Sequence, residues 1–450
     1  MTEPAESAPA AKPGIAIRPV ASGPRAPKPK PPPVTGPWRL PMLLAAPHRL
    51  GFAMAMLVLM AASIWWLLVQ AGRAHGWLLL DGAAALPPVI THAAVMTFGF
   101  MPLFFAGFLF TAGPRWLGVE PLPAPRLLPP LGLQAAGWLL WLAGAYLGLW
   151  LAVTGLALAC AGLGWMYAKF WRLIAASRLD DRIHAITAGA GGVIGTLCLA
   201  ATGIALLTGQ PALALALVHT ALWGFIAVTF MAVAHRMIPF FTSGVLPMIE
   251  VWRPFWVLWL MLGTAAFEAL AVWVDRAAPL GVVWLGWPVL AILVQAAAGG
   301  VLLWLALVWG LVQSLKDRLL AMLHVGFVWL GLALLYGAGA RALELIAGQA
   351  VLGLGALHAL SMGFLGSLMM AMVTRVSCGH SGRSLVADNL VWALFWLLQA
   401  AVGVRLLAAA QGMPMLLTGA AALLWTAAVA TWALRYANWY GRPRIDGKPG

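Results

Sequence analysis

The sequence predicts an all-α polytopic membrane protein with about twelve transmembrane helices. Hydrophobic residues make up 63% of the chain and charged residues only 9%, and the mean hydropathy is +0.92. Apolar runs of about 20 residues, the length that crosses the hydrocarbon core as a helix, recur along the whole chain. The predicted spans cover roughly residues 51–70, 88–112, 130–147, 149–169, 185–208, 212–235, 254–274, 281–312, 319–344, 350–374, 386–406 and 413–435.

Positive charge is distributed unevenly between the two sets of loops that connect these spans. The formal net charge is +14, and most Lys and Arg residues lie in the N-terminal segment, in the loops after even-numbered spans and in the C-terminal tail. The opposite loops hold only Arg73, Arg276, Arg341 and Arg405. This positive-inside pattern predicts cytoplasmic termini and a multi-pass protein of the bacterial inner membrane, surrounded by lipid. The charge therefore reports topology, and nucleic acid is excluded as a partner.

The two ends of the chain differ in composition from the spans. Residues 1–46 are rich in Pro and Ala, carry basic residues and contain almost nothing to bury, which predicts a disordered basic cytoplasmic tail. They lack the short apolar core and cleavage site of a signal peptide, so we expect the first span to be retained. Residues 47–440 form the predicted transmembrane domain, and residues 441–450 form a second short basic tail.

Three histidines lie inside apolar runs and share a local sequence. His219-Thr-Ala-Leu-Trp-Gly-Phe and His358-Ala-Leu-Ser-Met-Gly-Phe are 139 residues apart, and each is followed at 17 residues by an arginine, Arg236 or Arg375. A looser copy, with one residue inserted, begins at His92. An ionisable side chain within a membrane span is costly and marks a candidate functional site.

The topology gives these histidines a common depth. His92, His219 and His358 fall on spans 2, 6 and 10, which all run inward from the periplasmic side. At about 1.5 Å per residue they lie roughly 6–12 Å inside the membrane, in one leaflet. Recurrence every fourth span predicts three repeats of four helices, with spans 2, 6 and 10 around a common interior.

Two interpretations of the histidine motif remain open at this point. The imidazoles are either hydrogen-bonded packing residues or ligands, since neutral imidazole is the usual axial ligand of haem iron and also binds copper. The glycines of the motif, Gly99, Gly224 and Gly363, fit both interpretations. They allow helices to pack closely, and they would equally let a flat macrocycle approach the backbone.

Three longer motifs carry a resemblance to a known family, the NnrS family. The N-terminal motif is Ala106-Gly-Phe-Leu-Phe-Thr-Ala-Gly-Pro-Arg-Trp-Leu-Gly. The middle motif comprises Val218-His-Thr-Ala-Leu-Trp and Arg236-Met-Ile-Pro-Phe-Phe-Thr. The C-terminal motif comprises Ala356-Leu-His-Ala-Leu-Ser-Met-Gly and Met372-Val-Thr-Arg-Val-Ser-Cys-Gly-His-Ser-Gly-Arg-Ser-Leu. The resemblance covers roughly residues 48–435. It implies a haem- and copper-containing membrane protein associated with denitrification and resistance to nitric oxide.

The chain departs from that family at one motif. The family commonly has His-Ala-His-Glu-Met where this sequence has His92, Ala93, Ala94, Val95 and Met96. The second histidine and the glutamate are missing, which puts any copper site that depends on them in doubt. The first histidine keeps its position.

A more distant architectural resemblance, to the catalytic subunits of haem–copper oxidases and nitric oxide reductases, implies roles for the histidines. By this resemblance His92 and His358 are axial ligands of one b-type haem, and His219 lies where a second metal binds. Span 10 has no second histidine, and span 7 has none at all. The binuclear centre of that superfamily is therefore incomplete, and we identify no catalytic residue or electron donor.

Other polar residues within the spans have simpler explanations. Glu268 in span 7 and a pair formed by Arg341 with Glu344 are explained by ion pairing and by side chains that reach the interface. A cytoplasmic-side cluster of His235 with His324 and His48 is a weaker candidate for a second metal site.

Three classes of function follow from these observations. The favoured class is a haem-binding inner-membrane protein that acts on nitric oxide or on the damage it causes to metal centres. The alternative is a transporter or relay in which the histidines pass haem or copper on without stable redox activity. The third class is a structural membrane protein that holds no cofactor. Whether the protein is an enzyme stays open.

Overall fold

The computed structural model describes residues 34–76, 84–281 and 284–448, and every long element in these ranges is helical. Twelve of the helices are long and apolar enough to cross a membrane, which confirms the predicted fold class. They are α1 (Pro47–His75), α2 (Pro88–Leu117), α3 (Ala124–Leu147), α4 (Leu149–Ala176), α5 (Ile183–Leu207), α6 (Pro211–Val245), α7 (Phe255–Ala277), α8 (Trp287–Val308), α9 (Arg318–Ala347), α10 (Gly355–His380), α11 (Asn389–Leu407) and α12 (Met415–Tyr440).

The two helices whose separation is least evident in the sequence, α3 and α4, form a tight hairpin. Gly148, at φ 141°, is the single residue between them, a backbone conformation that favours glycine. A Cβ atom at Gly144 would lie 2.3 Å from the backbone nitrogen of Ala152 on the facing helix. The two backbones are therefore in direct contact, as is common where small residues meet in membrane helices.

Four helices form the interior of the bundle. The apolar windows of α2, α10, α9 and α6 are 83%, 72%, 67% and 61% buried, whereas no other helix exceeds 50%. The prediction that spans 2, 6 and 10 surround a common interior is confirmed, with α9 as an additional member. The first and last helices, α1 and α12, pack against each other and close the bundle.

The N-terminal segment corrects one prediction. Residues 1–33 of the predicted tail lie outside the described residues, but residues 34–46 are packed against the C-terminal end of the domain. The backbone N–H of Val34 donates to Ile445 O at 2.9 Å, and that of Arg39 donates to Gly441 O at 2.7 Å. Disorder therefore does not extend to residue 46, because backbone hydrogen bonds and the indole of Trp38, which donates to Ala437 O, hold this stretch.

Side chains add to this junction of the two chain ends. Arg49 donates to the carbonyls of Tyr440 and Arg442 at 3.1 and 2.8 Å. The Arg444 guanidinium donates two hydrogen bonds to Asp446 and holds the pKa of that carboxyl well below its usual range. Both ends of the domain thus lie on one face of the bundle, which we call the terminal face. The other face is called the opposite face, and the charge pattern predicts that it is periplasmic.

Candidate functional site

His92, His219 and His358 all lie near the ends of their helices at the opposite face. They are the fifth residue of α2, the ninth of α6 and the fourth of α10, which places them about 5–12 Å from the helix ends at 1.5 Å per residue. His358 is shallower than the sequence predicts, because α10 begins at Gly355 and not at residue 350.

The structure brings the three imidazoles together. His358 lies within electrostatic range of both His92 and His219. All three side chains keep intermediate exposure although their helices form the interior of the bundle. Their side chains are therefore partly accessible at the opposite-face end of the bundle.

The ring nitrogens of these histidines are largely unused by the protein. His358 Nδ1 lies 2.8 Å from Leu354 O, and because a carbonyl only accepts, Nδ1 carries the proton and Nε2 keeps its lone pair. This is the hydrogen bond that typically orients a metal-binding imidazole. His92 Nδ1 is buried without a partner, and no ring nitrogen of His92 or His219 makes a hydrogen bond in the described part of the chain.

A tryptophan of α1 fixes the plane of the His92 ring. The rings of Trp66 and His92 are stacked, with centroids 3.8 Å apart and an interplanar angle of 19°. The Arg73 guanidinium lies over Trp66, 5.6 Å from the ring centroid. The backbone at Thr91 accepts a hydrogen bond from the indole of Trp141 at 3.3 Å. His92 is thus oriented by stacking and by its backbone while its ring nitrogens stay available.

Positive charge near the histidines comes from two arginines that sequence reasoning did not assign to the site. Arg405 at the end of α11 lies within electrostatic range of His92 and His358, and Arg73 lies within range of His92. These are two of the four basic residues that depart from the positive-inside pattern. That departure could have indicated these arginines from the sequence, because the positive-inside rule disfavours basic residues in periplasmic loops and those that occur there often have a specific role.

Each of the three helices changes its winding just after its histidine. The α-helical hydrogen bonds give way to π-helical ones at Val95–Gly99 in α2, Leu222–Ala227 in α6 and Ala359–Gly366 in α10. Such segments are rare and occur frequently at functional sites, because the wider turn redirects the side chains that follow. Their equivalent placement supports the predicted internal repeat.

The glycines of the motif serve close helix packing. A Cβ atom added to any of these glycines would approach a side chain on a neighbouring helix. That helix is in each case the first of the predicted four-helix repeat to which the glycine belongs: α1, α5 or α9. The contacts are Gly99 with Val58 at 3.2 Å, Gly224 with Ile194 at 3.3 Å and Gly363 with Trp329 at 2.7 Å. The space beside each glycine is therefore filled by protein, which favours the packing interpretation over close approach of a macrocycle at these positions.

Comparison with known families gives a match that covers almost the whole chain. A family model described as NnrS protein matches residues 42–444. The chain belongs to the NnrS family. A comparison with curated proteins finds no match.

The donor set of this NnrS-family chain fits a haem better than a separate copper site. Among the described residues, no three His, Cys, Asp or Glu side chains are placed to hold one metal ion. At the position of the missing family histidine and glutamate, Ala94 and Val95 are fully buried in the apolar core and offer no donor atom. A haem needs only two axial imidazoles, and the orphaned Nδ1 of His92 and the unused Nε2 of His358 belong to two histidines near each other.

The histidines of the terminal face do not form the single cluster considered from the sequence. His235 instead pairs with His184 on α5, with His184 Nε2 2.9 Å from His235 Nδ1. His235 Nε2 lies 3.1 Å from Pro254 O, so it carries the proton, and His184 Nε2–H donates to His235 Nδ1. Arg236, on the same turn, pairs with Asp181 at 3.3 Å.

The other terminal-face histidines are engaged elsewhere. Thr242 donates its hydroxyl proton to Ile238 O, so it accepts from His324 Nε2–H at 3.0 Å. The rings of His48 and His380 lie against each other with centroids 4.6 Å apart. His184 and His380, the partners that sequence reasoning missed, are distant in sequence from the residues they contact.

An apolar cavity of about 40 Å³ occupies the terminal half of the same central helices. Only apolar side chains line it: Phe52, Phe104, Phe105, Phe108, Phe230, Val233, Ala234, Ile238, Leu323, Leu368, Met369, Met372 and Val373. The phenylalanines of the His…Gly-Phe motifs contact its walls, Phe225 on Phe105 at 5.7 Å and Phe364 on Phe230 at 6.1 Å between ring centroids. The cavity offers no donor to an ion.

Proposed function

We propose that this NnrS-family chain is a haem-binding protein of the inner membrane that takes part in the response to nitric oxide and in denitrification. His92 on α2 and His358 on α10 would hold one b-type haem. The family membership supports the membrane setting and the association with nitric oxide, haem and copper. The observation that carries the proposal is the convergence of two imidazoles on central helices, one with a buried Nδ1 that has no partner and one with a free Nε2.

The surrounding residues suit an anionic, planar group. Arg73 and Arg405 would supply positive charge to the two propionates of the haem. Trp66 would hold the His92 ring in a fixed plane. A haem with two imidazole ligands supplies a one-electron redox couple when bound. His219 stands near His358 without the other donors that a second metal needs, so reduction of nitric oxide at a binuclear centre is not proposed.

The test is purification of the full chain in detergent after expression with haem supplied, followed by haem and metal assays. We expect about one haem per chain and the absorption spectrum of a bis-imidazole haem, both lost in His92→Ala and in His358→Ala. His75→Ala, at an exposed histidine of the same face, is the matched control and should keep the haem. Colourless, metal-free parent protein would overturn the proposal.

The second candidate function is a haem relay, and His219 is the observation that favours it. A third imidazole near His358 offers a site to which a ligand can be handed. A relay predicts haem that is substoichiometric and is rapidly lost to a soluble haem-binding acceptor, with transfer slowed by His219→Ala. Stoichiometric haem that does not exchange, with the same occupancy in His219→Ala, would exclude the relay.

A further inference from the structure

A second polar site lies within the membrane, between α7 and α8 and away from the histidines. Glu268 is nine residues before the end of α7 at Ala277, and Gln295 is eight residues after the start of α8 at Trp287. At 1.5 Å per residue both are about 12–14 Å below the opposite-face ends of their helices. Both side chains are buried, with 7% and 5% of their surface exposed.

The contacts of Glu268 are limited to a neutral partner. Gln295 Nε2 lies 2.9 Å from Oε1 and 3.1 Å from Oε2 of the carboxyl group. No ion pair of Glu268 is found in the described part of the chain. A buried carboxylate that faces only one amide keeps most of its desolvation cost.

The charges around Glu268 leave no cation free to balance it. Among the described residues, Arg341 on α9 and Asp275 on α7 are the charged side chains within electrostatic range of Glu268. Arg341 is already paired with Asp275 through two N–O contacts, of 2.5 and 3.1 Å. Glu344, one turn along α9, adds a second carboxylate near Arg341. An ionised Glu268 would therefore be a third negative charge around one guanidinium.

This arrangement also differs from the pair considered from the sequence. Arg341 pairs with Asp275 of α7, not with Glu344 of its own helix. The Asp275 carboxylate further accepts from the indole of Trp287 at 2.8 Å. Asp275 thus has both a guanidinium and an indole N–H as partners, whereas Glu268, two turns away on the same helix, contacts only an amide.

The unpartnered amide oxygen of Gln295 indicates which protonation state of the Glu268 carboxyl group this site accommodates. Gln295 Oε1 is buried and has no hydrogen-bond donor in the described part of the chain. A carboxylate cannot supply that donor, but a carboxylic acid can. In the protonated state Glu268 donates to the amide oxygen while it accepts from the amide N–H, after a small rotation of the Gln295 amide, and both groups are then satisfied.

We propose that Glu268 and Gln295 form a proton-binding site within the membrane, in which Glu268 holds a proton at neutral pH and releases it under alkaline conditions. The Arg341–Asp275 pair lies between this site and the opposite face. The site is separate from the three histidines and does not depend on a bound haem. A buried, uncompensated carboxyl group of this kind marks a proton or ion pathway in membrane proteins.

The experiment is an infrared pH titration of the full chain reconstituted in lipid bilayers. We expect the carbonyl band of a protonated carboxyl group in the parent protein at pH 7, lost reversibly at alkaline pH and absent from Glu268→Gln. Asp181→Asn, at an exposed carboxylate of the terminal face that pairs with Arg236, is the control and should keep the band at neutral pH. Absence of the band at pH 7 in a parent protein with full helical content would overturn the proposal.

Two further arms separate a proton from a metal cation and test the role of the amide. Replacing potassium by sodium or lithium at constant ionic strength should leave the band unchanged, whereas its loss would show a monovalent-cation site and overturn the proposal. Gln295→Leu removes the amide that contacts both carboxyl oxygens, so the alkaline midpoint should shift. An unchanged midpoint would contradict the acid–amide pair.

Discussion

His184 and His324 of the terminal face differ from His358 of the opposite face in which ring nitrogen the protein uses. On the terminal face, His184 and His324 each donate from Nε2, the nitrogen farthest from the backbone. On the opposite face His358 is held through Nδ1, and its Nε2 is left free. A side chain that serves packing directs its far nitrogen at the protein, whereas a ligand keeps that nitrogen for something else. Depth in the membrane alone would not distinguish the two groups.

The largest expected effect is removal and chemical rescue of one opposite-face imidazole. His358→Gly should lose at least about 90% of the bound haem, and added imidazole should restore the bis-imidazole spectrum, because the free base replaces the missing ligand. The measurement is a haem assay with absorption spectra in detergent. His324→Gly is the control and should keep its haem without imidazole. Rescue that fails in His358→Gly, with a folded protein, would break the comparison between the two faces.

A terminal-face substitution should affect stability and leave haem binding unchanged. His235→Ala removes the acceptor for His184 Nε2–H, and leaving a buried donor unpaired costs about 1–3 kcal/mol. We expect lower resistance to unfolding in detergent, measured by circular dichroism, with the same haem per chain. The double variant His184→Ala/His235→Ala should lose less than the sum of the single variants, since both remove one interaction. Full additivity would show that the pair is not coupled.

A smaller effect is expected from the basic residues. Arg405→Gln removes a charge near His92 and His358 and should weaken haem binding by about tenfold, equivalent to about 1.4 kcal/mol, while Arg405→Lys should retain most of the affinity. The readout is haem titration of protein prepared without haem. Arg375→Gln is the matched control at the terminal face, where the guanidinium lies over Phe241. Equal losses in the Arg405 and Arg375 variants would argue for a general effect of charge on folding.

The smallest effect should come from the stacking residue. Trp66→Leu removes the ring that lies on His92, and such a stacked pair contributes about 0.5–1.5 kcal/mol beyond its buried area. Haem affinity should fall by roughly two- to tenfold. The control is Trp65→Leu, one residue away, whose indole donates instead to Tyr146. If Trp65→Leu lowered haem affinity as much as Trp66→Leu, the stacking of Trp66 on His92 would have no specific role in haem binding.

Much of this arrangement was readable from the sequence because the membrane restricts the alternatives. Twelve apolar runs predicted twelve helices, and histidines recurring on every fourth span predicted that α2, α6 and α10 meet. Contacts between helices far apart in sequence were not readable. Nothing in the local sequence of His235 indicates that it contacts His184. Helix packing likewise pairs Arg341 with Asp275, although Glu344 is closer in sequence. The π-helical turns also escaped prediction, since no simple periodicity marks them.

The junction of the two chain ends has a consequence for the order of assembly during synthesis. Arg49 at the start of α1 receives its acceptors only from Tyr440 and Arg442, nearly four hundred residues later in the chain. The guanidinium of Arg49 therefore has these acceptors only after α12 has been inserted beside α1. Until then it stays hydrated at the membrane surface. A protein truncated before α12 should consequently leave α1 without its partner, however well the helices between them have packed.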